Sequence, residues 1–170
     1  MNRRMALACM SIGVAVLCAP AVVQFPARLV YNPSDSVPRG WYSIGSPNSL
    51  HIGGVVLVRL PAGVAALAAQ RGYLPAGVPL LKRIGAVAPQ SVCVGEGGVR
   101  IDGVAVAAVL AEDGRGRLLT PWAQCRALAV GELFLLSDVH PASFDSRYFG
   151  PVDASAVIGS AHPLWTRGTP

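Results

Sequence analysis

The segment VRIDGVAV, residues 99–106, carries the clearest fold signal in the sequence. On each side of Asp102-Gly103, apolar residues alternate with small or polar ones, which is typical of a β-strand with one buried face. Asp-Gly between two such runs favours a tight two-residue turn, because both central positions of that turn need a positive φ. The segment therefore predicts a β-hairpin.

Further short apolar runs flank this hairpin and are bounded by Gly, Pro or polar residues. They are residues 55–58 (VVLV), 92–94 (VCV) and 133–136 (LFLL). Their length and branched side chains favour buried strands over helices. Beyond the N-terminal region, only residues 63–71, with an alanine-rich centre, predict a short helix. We therefore expect a mainly β fold with one N-terminal helix.

The composition is typical of a single globular domain. The chain has 170 residues, of which 52% are hydrophobic and 14% charged, and its Gly and Pro residues follow no fixed period. These values exclude an intrinsically disordered protein. The net charge of +5 comes from basic residues scattered singly or in pairs, so nucleic acid is not an expected partner. Of the 14 basic residues, only Lys82 is a lysine.

An uncharged apolar segment, residues 5–27, follows Arg3 and Arg4 at the N-terminus. It is longer than the roughly 20 residues that span a bilayer, and the paired arginines favour a cytoplasmic N-terminus. We therefore expect a cytoplasmic tip and transmembrane anchor at residues 1–27 and an exported domain at residues 28–170. The alternative is a cleaved signal peptide, for which Pro20 and its small neighbours leave room.

Cys93 and Cys125 both lie in the expected exported domain. An even pair of cysteines in an oxidising compartment predicts a disulfide, and closing a loop of about 30 residues contributes about 3 kcal/mol in the chain-entropy account. The alternative is two small buried apolar residues. No metal site or cofactor is expected, because His51, His140 and His162 stand far apart without paired ligand spacing. They are expected to be surface or core histidines.

Three segments carry side chains suited to catalysis. Residues 32–40 (NPSDSVPRG) present serine hydroxyls on a stretch that its prolines keep out of a helix. Lys82 lies between apolar neighbours in a predicted strand, where burial lowers the pKa of an ammonium and makes a usable general base. In residues 137–151, polar and aromatic side chains alternate, and Asp145 and Arg147 are expected to pair. Taken alone, residues 32–40 also fit an ordinary turn, Lys82 fits a surface lysine, and residues 137–151 fit a surface loop.

Taken together and in this order, the three segments resemble the boxes of the membrane-bound Ser/Lys signal peptidases, and in particular the TraF type of conjugative-transfer peptidase. The resemblance implies a signal-peptidase-like β-sheet domain in which Ser36 is the nucleophile and Lys82 the general base. It also implies that Ser34 contributes to the oxyanion hole, that Ser143 orients the lysine, and that Asp145 structures the site.

The sequence departs from the family pattern at three places. The spacing in Ser36-Val37-Pro38 is one residue shorter than the Ser-Met-x-Pro of the housekeeping enzymes, as expected of the TraF branch. Ser137 stands where the family has a glycine, and Pro89-Gln90 stands where it has Gly-Asp. The last two differences concern loop geometry rather than the Ser/Lys dyad.

The function that the resemblance implies is a membrane-anchored serine endopeptidase that processes an exported precursor, such as a conjugative prepilin, through an acyl-enzyme. Its expected partners are a precursor with small residues at the cleavage site and the membrane. Its expected location is the bacterial inner membrane, with the N-terminus cytoplasmic and the catalytic domain periplasmic. Release by water and cyclisation by the substrate's own amino terminus both remain open.

Three other interpretations compete with this one. The alternative from a different class is a non-catalytic, membrane-anchored β-domain that binds pilus or secretion components. A housekeeping signal peptidase is disfavoured by the short exported domain and the missing Ser-Met-x-Pro spacing. A self-cleaving repressor of the related Ser/Lys fold is disfavoured because such proteins are cytosolic, whereas this chain begins with a predicted membrane segment.

Overall fold

The computed structural model describes residues 3–22, 29–48, 50–95, 97–137 and 139–167. Helix α1 (Arg3–Val22) comes first. In this described part of the chain, no helix has both the length and the apolar character needed to cross a membrane. The last part of the predicted membrane segment, residues 23–27, lies outside the described residues. The expected domain boundary, between residues 27 and 28, lies outside them as well. The anchor and the boundary therefore stay predictions.

The rest of the described chain is mainly antiparallel β-structure, which confirms that part of the expected fold. The strands are β1 (Leu29–Asn32), β2 (Arg39–Gly45), β3 (Val55–Val58), β4 (Leu80–Val87), β5 (Ser91–Gly95), β6 (Gly98–Ile101), β7 (Val104–Ala107), β8 (Cys125–Ala127), β9 (Glu132–Leu135), β10 (Val152–Asp153) and β11 (Val157–Arg167). The helical elements after α1 are α2 (Ala62–Gln70), α3 (Ser146–Phe149) and the short 3-10 turn η1 (Ala154–Ala156). One sheet has the strand order β1-β2-β11-β3-β4-β9-β10, and the other has the order β7-β6-β5-β8.

The predicted hairpin is confirmed as β6 and β7, which pair antiparallel. Asp102 has φ 51° and Gly103 has φ 82°, the two positive values that a tight hairpin turn requires. The other three apolar runs lie in β3, β5 and β9, apart from a final residue just beyond β9. The predicted short helix is α2, which begins and ends one residue earlier than expected.

Strand β4 is an interior strand of the seven-stranded sheet, between β3 and β9. Apolar residues of β3, β4 and β9 pack into the core on its flanks, and Lys82 pairs with Val56 in the middle of this region. Neighbouring strands pair with both backbone edges of β4, while its side chains project from the two faces of the sheet. The Lys82 side chain is 2% exposed and meets Ser143 of the 137–145 loop.

Residues 137–151 contain one helical turn, α3, where the sequence analysis expected a loop throughout. The Asp145 carboxylate accepts the backbone N–H of Arg147 and so caps this turn, as aspartate commonly does at a helix start. Gly150 ends the turn with φ 78°, and a Cβ there would lie 2.7 Å from the Trp122 ring. The Asp145 cap and the close packing at Gly150 thus produce a helical turn. A turn of four residues is too short to show a helical period of apolar residues in the sequence.

Cys93 and Cys125 face each other directly in the pairing of β5 with β8, and their sulfur atoms are bonded. The predicted disulfide is thus present. The alternative of two buried free thiols is wrong, since Cys125 is exposed.

Candidate active site

Asn32, the last residue of β1, organises the turn that carries Ser36. Its amide group donates to the carbonyl oxygens of Ser34, Val37 and Pro38 at 2.9, 2.9 and 3.2 Å. Its Oδ1 accepts the backbone N–H and the hydroxyl of Ser34 at 3.1 and 2.8 Å. Asn32 is buried, so these bonds replace the water that would otherwise solvate it. One side chain thereby holds residues 32–38 in a fixed loop.

Ser36 lies inside this loop and is 9% exposed. Its Oγ lies 3.1 Å from Ser34 Oγ. Because the Ser34 proton is donated to Asn32 Oδ1, Ser36 is the donor in the contact between the two serines. In this arrangement the Ser34 proton points away from Ser36, so a role for Ser34 in an oxyanion hole requires its hydroxyl to rotate.

Lys82 is 2% exposed, and its Nζ donates a hydrogen bond of 2.6 Å to Ser143 Oγ. Burial lowers the pKa of Lys82 from 10.5 to about 8, while the charge of Asp145 raises it and that of Arg147 lowers it further. Desolvation disfavours the ammonium form, so a substantial fraction of the amine is neutral near pH 8. The interpretation of Lys82 as a surface strand lysine is therefore wrong.

Asp145 and Arg147 form a fully buried ion pair, with both side chains 0% exposed. Arg147 Nε donates to Asp145 Oδ1 at 2.8 Å, and its Nη2 donates to Oδ2 at 2.9 Å, which is the two-pronged geometry that suits a guanidinium. Asp145 Oδ2 also accepts the backbone N–H of Ser137 at 3.0 Å. The expected pairing of Asp145 with Arg147 is thus present. The bond from Ser137 to Asp145 joins the two ends of the 137–145 loop.

The remaining donors of Arg147 bind three carbonyl oxygens of the same loop and one just after β7. They bind the carbonyl oxygens of Ala108, Pro141, His140 and Ser143. A buried guanidinium keeps its charge, so each donor needs such an acceptor. The position of Ser143, the partner of Lys82, therefore depends on Arg147.

Ser137 connects this loop to the turn that carries Ser36. Its Oγ donates to the carbonyl oxygen of Ser36 at 2.9 Å and accepts the backbone N–H of His140 at 3.2 Å. The family pattern has a glycine at this position, which cannot make either bond. Serine in place of glycine therefore links the 137–145 loop directly to the turn that carries Ser36.

One cavity of 490 Å³ brings the predicted residues together. Ser34, Ser36, Lys82 and Ser143 line it, and His140 lines it as well. Asp145 lies behind the lining, where it holds Ser137 and Arg147. Much of the remaining wall is apolar, from Val30, Leu60, Leu74, Val78, Leu80 and Leu81. The cavity therefore places three serine hydroxyls and an amine beside an apolar wall.

Asn32, Ser137 and His140 also belong to the site, although no role was predicted for them. Asn32 bonds to residues 34–38 of its own turn, whereas Ser137 reaches Ser36 across 101 positions, a contact that spacing does not reveal. Among the described residues, no group of three His, Cys, Asp or Glu side chains is arranged to hold a metal ion. The disulfide lies in the four-stranded sheet rather than in the sheet that carries Lys82.

A buried lysine and a serine in a fixed turn thus line one cavity. Residues 1–165 match the family described as signal peptidase, peptidase S26, and the chain belongs to that family.

Three relatives are similar along most of the chain. Two are plasmid transfer proteins TraF from Escherichia coli, 33% and 34% identical, which align with 91% and 96% of this chain and 91% and 97% of their own length. The third is a probable conjugal transfer protein TraF from Sinorhizobium fredii, 32% identical over 91% of this chain and 88% of its own. A solved signal peptidase I from Enterococcus faecalis covers 69% of this chain and 98% of its own at 22% identity, but its TM-score of 0.37 is too low to support any inference.

Proposed function

We propose that this protein is a membrane-anchored signal peptidase of conjugative transfer that cleaves an exported precursor, a prepilin, with Ser36 as nucleophile and Lys82 as general base. The observation that carries the proposal is the burial of the Lys82 amine, bonded to Ser143, in the cavity that Ser36 also lines. A lysine at a solvated surface stays protonated at neutral pH and cannot act as a base.

Acyl transfer follows from the properties of these side chains. Ser143 accepts one N–H of the amine, which leaves the lone pair of neutral Lys82 available to take the proton of Ser36 Oγ. Ser36 then attacks the scissile carbonyl, and Lys82 passes the proton to the departing amine. The N-terminal part of the substrate stays esterified to Ser36 until water or an amine releases it.

Ser34 supplies a donor for the oxyanion in this proposal. Its hydroxyl lies 3.1 Å from Ser36 Oγ, and rotation about one side-chain bond redirects its proton from Asn32 towards the substrate. Once rotated, this hydroxyl donates a hydrogen bond to the developing negative charge and so stabilises the transition state. The three hydrogen bonds that the Asn32 side-chain amide donates keep the loop fixed while the Ser34 hydroxyl rotates.

The substrate class rests on the relatives and on the cavity. Three relatives that are similar along most of the chain carry the names plasmid transfer or conjugal transfer protein TraF. The apolar wall of the cavity favours small apolar residues before the cleavage site. The uncharged apolar sequence of residues 5–27, which follows Arg3 and Arg4, supports an anchor in the inner membrane with the catalytic domain on the periplasmic side.

The test is processing of a co-expressed prepilin, followed by mass spectrometry at equal membrane abundance of the enzyme variants. We expect no product with Ser36→Ala, Lys82→Ala or Lys82→Arg, because arginine retains the charge but cannot act as a base. Ser46→Ala, a serine exposed in the β2–β3 loop, is the matched control and should process normally. A cyclic product is one water lighter than the linear one. Full processing by Ser36→Ala would contradict the proposal and favour the non-catalytic binding domain.

A further inference from the structure

A second cavity, of 350 Å³, adjoins the catalytic cavity. Tyr73, Ala142 and Phe144 line both cavities. Ala142 and Phe144 are the two chain neighbours of Ser143, which holds the Lys82 amine. Ala142 is exposed, so the two cavities meet at the protein surface beside this loop. A peptide bound in the catalytic cavity can therefore reach the second cavity within a short length of chain.

Arginine side chains give the second cavity its charge. Arg71, Arg115 and Arg117 line it, and Asp113 is the one acidic lining residue among those that the structure describes. Arg115 is exposed, and a Cβ placed on the lining residue Gly72 would lie 3.9 Å from its Nη1. The Arg115 guanidinium therefore lies beside the cavity wall. We name this space the arginine cavity.

The Asp113 carboxylate is saturated by groups of the protein. Its Oδ2 accepts the Tyr73 hydroxyl and Arg117 Nε, and its Oδ1 accepts the backbone N–H of Arg115 and of Arg117 at 2.8 and 3.0 Å. These four bonds fill the acceptor sites of a carboxylate, and the side chain is only 8% exposed. Asp113 therefore offsets the charge of Arg117. Arg71 and Arg115 form no ion pair within the described part of the chain.

The protein fixes Arg71 in place and leaves donors of Arg71 and Arg115 for a ligand. Arg71 Nη1 donates to the carbonyl oxygen of Leu118 at 2.8 Å, and the Arg71 carbonyl accepts Arg117 Nη2 at 2.9 Å. Within the described residues, Arg71 Nε and Nη2 and the whole Arg115 guanidinium have no hydrogen-bond partner. A guanidinium presents paired N–H groups whose geometry matches a carboxylate. The arginine cavity therefore suits an anion, and a carboxylate in particular.

We propose that the arginine cavity binds an acidic side chain of the precursor, located within a few residues of the scissile bond. The inference rests on the proposed function and adds an acidic residue to the substrate that it names. A peptide side chain is favoured over a lipid phosphate because the arginine cavity shares part of its wall with the catalytic cavity. Charge pairs at the edge of a binding site act mainly on capture of the ligand. The acidic residue should therefore lower KM and leave kcat nearly unchanged.

The experiment measures kcat/KM of the full-length enzyme in detergent with peptides that span the cleavage site. The peptides carry Ala, Asp or Lys at one position at a time, on either side of the scissile bond. At one stretch of positions, we expect wild type to cleave the Asp peptide with kcat/KM about fivefold above that of the Ala peptide, and the Lys peptide less well than either. Arg115→Glu should reverse this order, and the wild-type preference should weaken at high salt. Arg100→Glu, at an exposed arginine of β6, changes the net charge equally and is the matched control.

The Ala peptides report whether each variant is folded, because Arg115→Glu should cleave them at the wild-type rate. Equal kcat/KM for all peptides would overturn the inference. A preference for Asp that survives Arg115→Glu, or that is lost in Arg100→Glu as well, would also overturn it. So would an effect of phosphatidylglycerol added to the micelles that is seen in wild type but not in Arg115→Glu, without any preference among the peptides, because it would assign the cavity to a lipid phosphate.

The same peptides test the proposed function separately. Failure of wild type to cleave any peptide, or cleavage that survives Ser36→Ala, would count against the proposed function and with it the inference. Cleavage that depends on Ser36 but ignores the charge of the peptide would overturn the inference alone. The two failures are therefore distinguishable within one experiment.

Discussion

Lys82 Nζ lies 2.6 Å from Ser143 Oγ, although 61 positions separate the two residues in the chain. The bond joins strand β4 to the 137–145 loop, and both side chains are buried. Ser143 is in turn held by Arg147, which donates to its carbonyl at 3.1 Å. The Lys82 amine is thus positioned by a loop that a buried ion pair supports.

Loss of the Ser143 hydroxyl should impair catalysis more than stability. A hydrogen bond to a charged group contributes about 1.5 to 3 kcal/mol, so we expect Ser143→Ala to lower kcat/KM by about tenfold to a hundredfold. Ser143→Thr keeps the hydroxyl and should retain most of the activity. The measurement is steady-state cleavage of a precursor peptide. Equal activity of the alanine variant and the wild type would show that Lys82 needs no such partner.

Activity should rise with pH until the Lys82 amine is neutral. Because burial lowers its pKa to about 8, we expect kcat/KM to increase about tenfold per pH unit below that value and to level off above it. The measurement is the pH–rate profile of peptide cleavage between about pH 6 and 9.5, the range over which such a base titrates. A midpoint near 10.5, the ordinary pKa of lysine, would contradict the assignment of a desolvated base.

The same pKa makes stability depend on pH. The lowering from 10.5 to about 8 corresponds to about 3 kcal/mol, at about 1.4 kcal/mol per pH unit. Between these values the unfolded state binds the proton more tightly, so the free energy of unfolding rises with pH. We expect Lys82→Met to be more stable than wild type below about pH 8, by a difference that shrinks towards pH 10.5. Urea unfolding at several pH values measures it. A pH-independent difference would disprove the linkage.

Asp145 raises the pKa of Lys82, so its neutralisation should shift the activity profile. We expect the midpoint for Asp145→Asn to lie at lower pH than for wild type, because the attraction of the carboxylate for the ammonium is lost. The substitution also leaves the buried Arg147 charge unpaired, at a cost of about 3 to 5 kcal/mol in stability. The pH–rate profile and urea unfolding measure the two effects. Asp153→Asn, at an exposed aspartate that caps η1, should leave the midpoint unchanged.

The disulfide should support stability without affecting catalysis. Cys93 and Cys125 are 32 residues apart in sequence, and a loop of that size contributes about 3 kcal/mol by restricting the unfolded chain. We expect the double variant Cys93→Ala, Cys125→Ala to unfold at lower urea concentration and to retain its kcat/KM. A loss of activity at a concentration of urea where the variant is still folded would show that the four-stranded sheet contributes to the site.

Local sequence was sufficient for the elements whose signals lie within a few residues. The hairpin at residues 99–106, the helix α2 and the apolar strands depend on turn chemistry and side-chain period, which act over short distances. The resemblance to the signal peptidase boxes named Ser36 and Lys82 as candidates, and the exceptional lysine is visible in the sequence without coordinates. The apolar N-terminal segment is equally a property of the sequence, and its role as an anchor stays a prediction.

Only the tertiary structure decided how these residues are used. The Lys82 side chain is buried where Ser143 of the 137–145 loop meets it, across a gap of 61 positions. The link from Ser137 to Ser36 and the place of His140 in the cavity are contacts between segments that no spacing rule relates. Propensities and turn signals act locally, whereas desolvation and hydrogen bonding depend on which distant segments pack together.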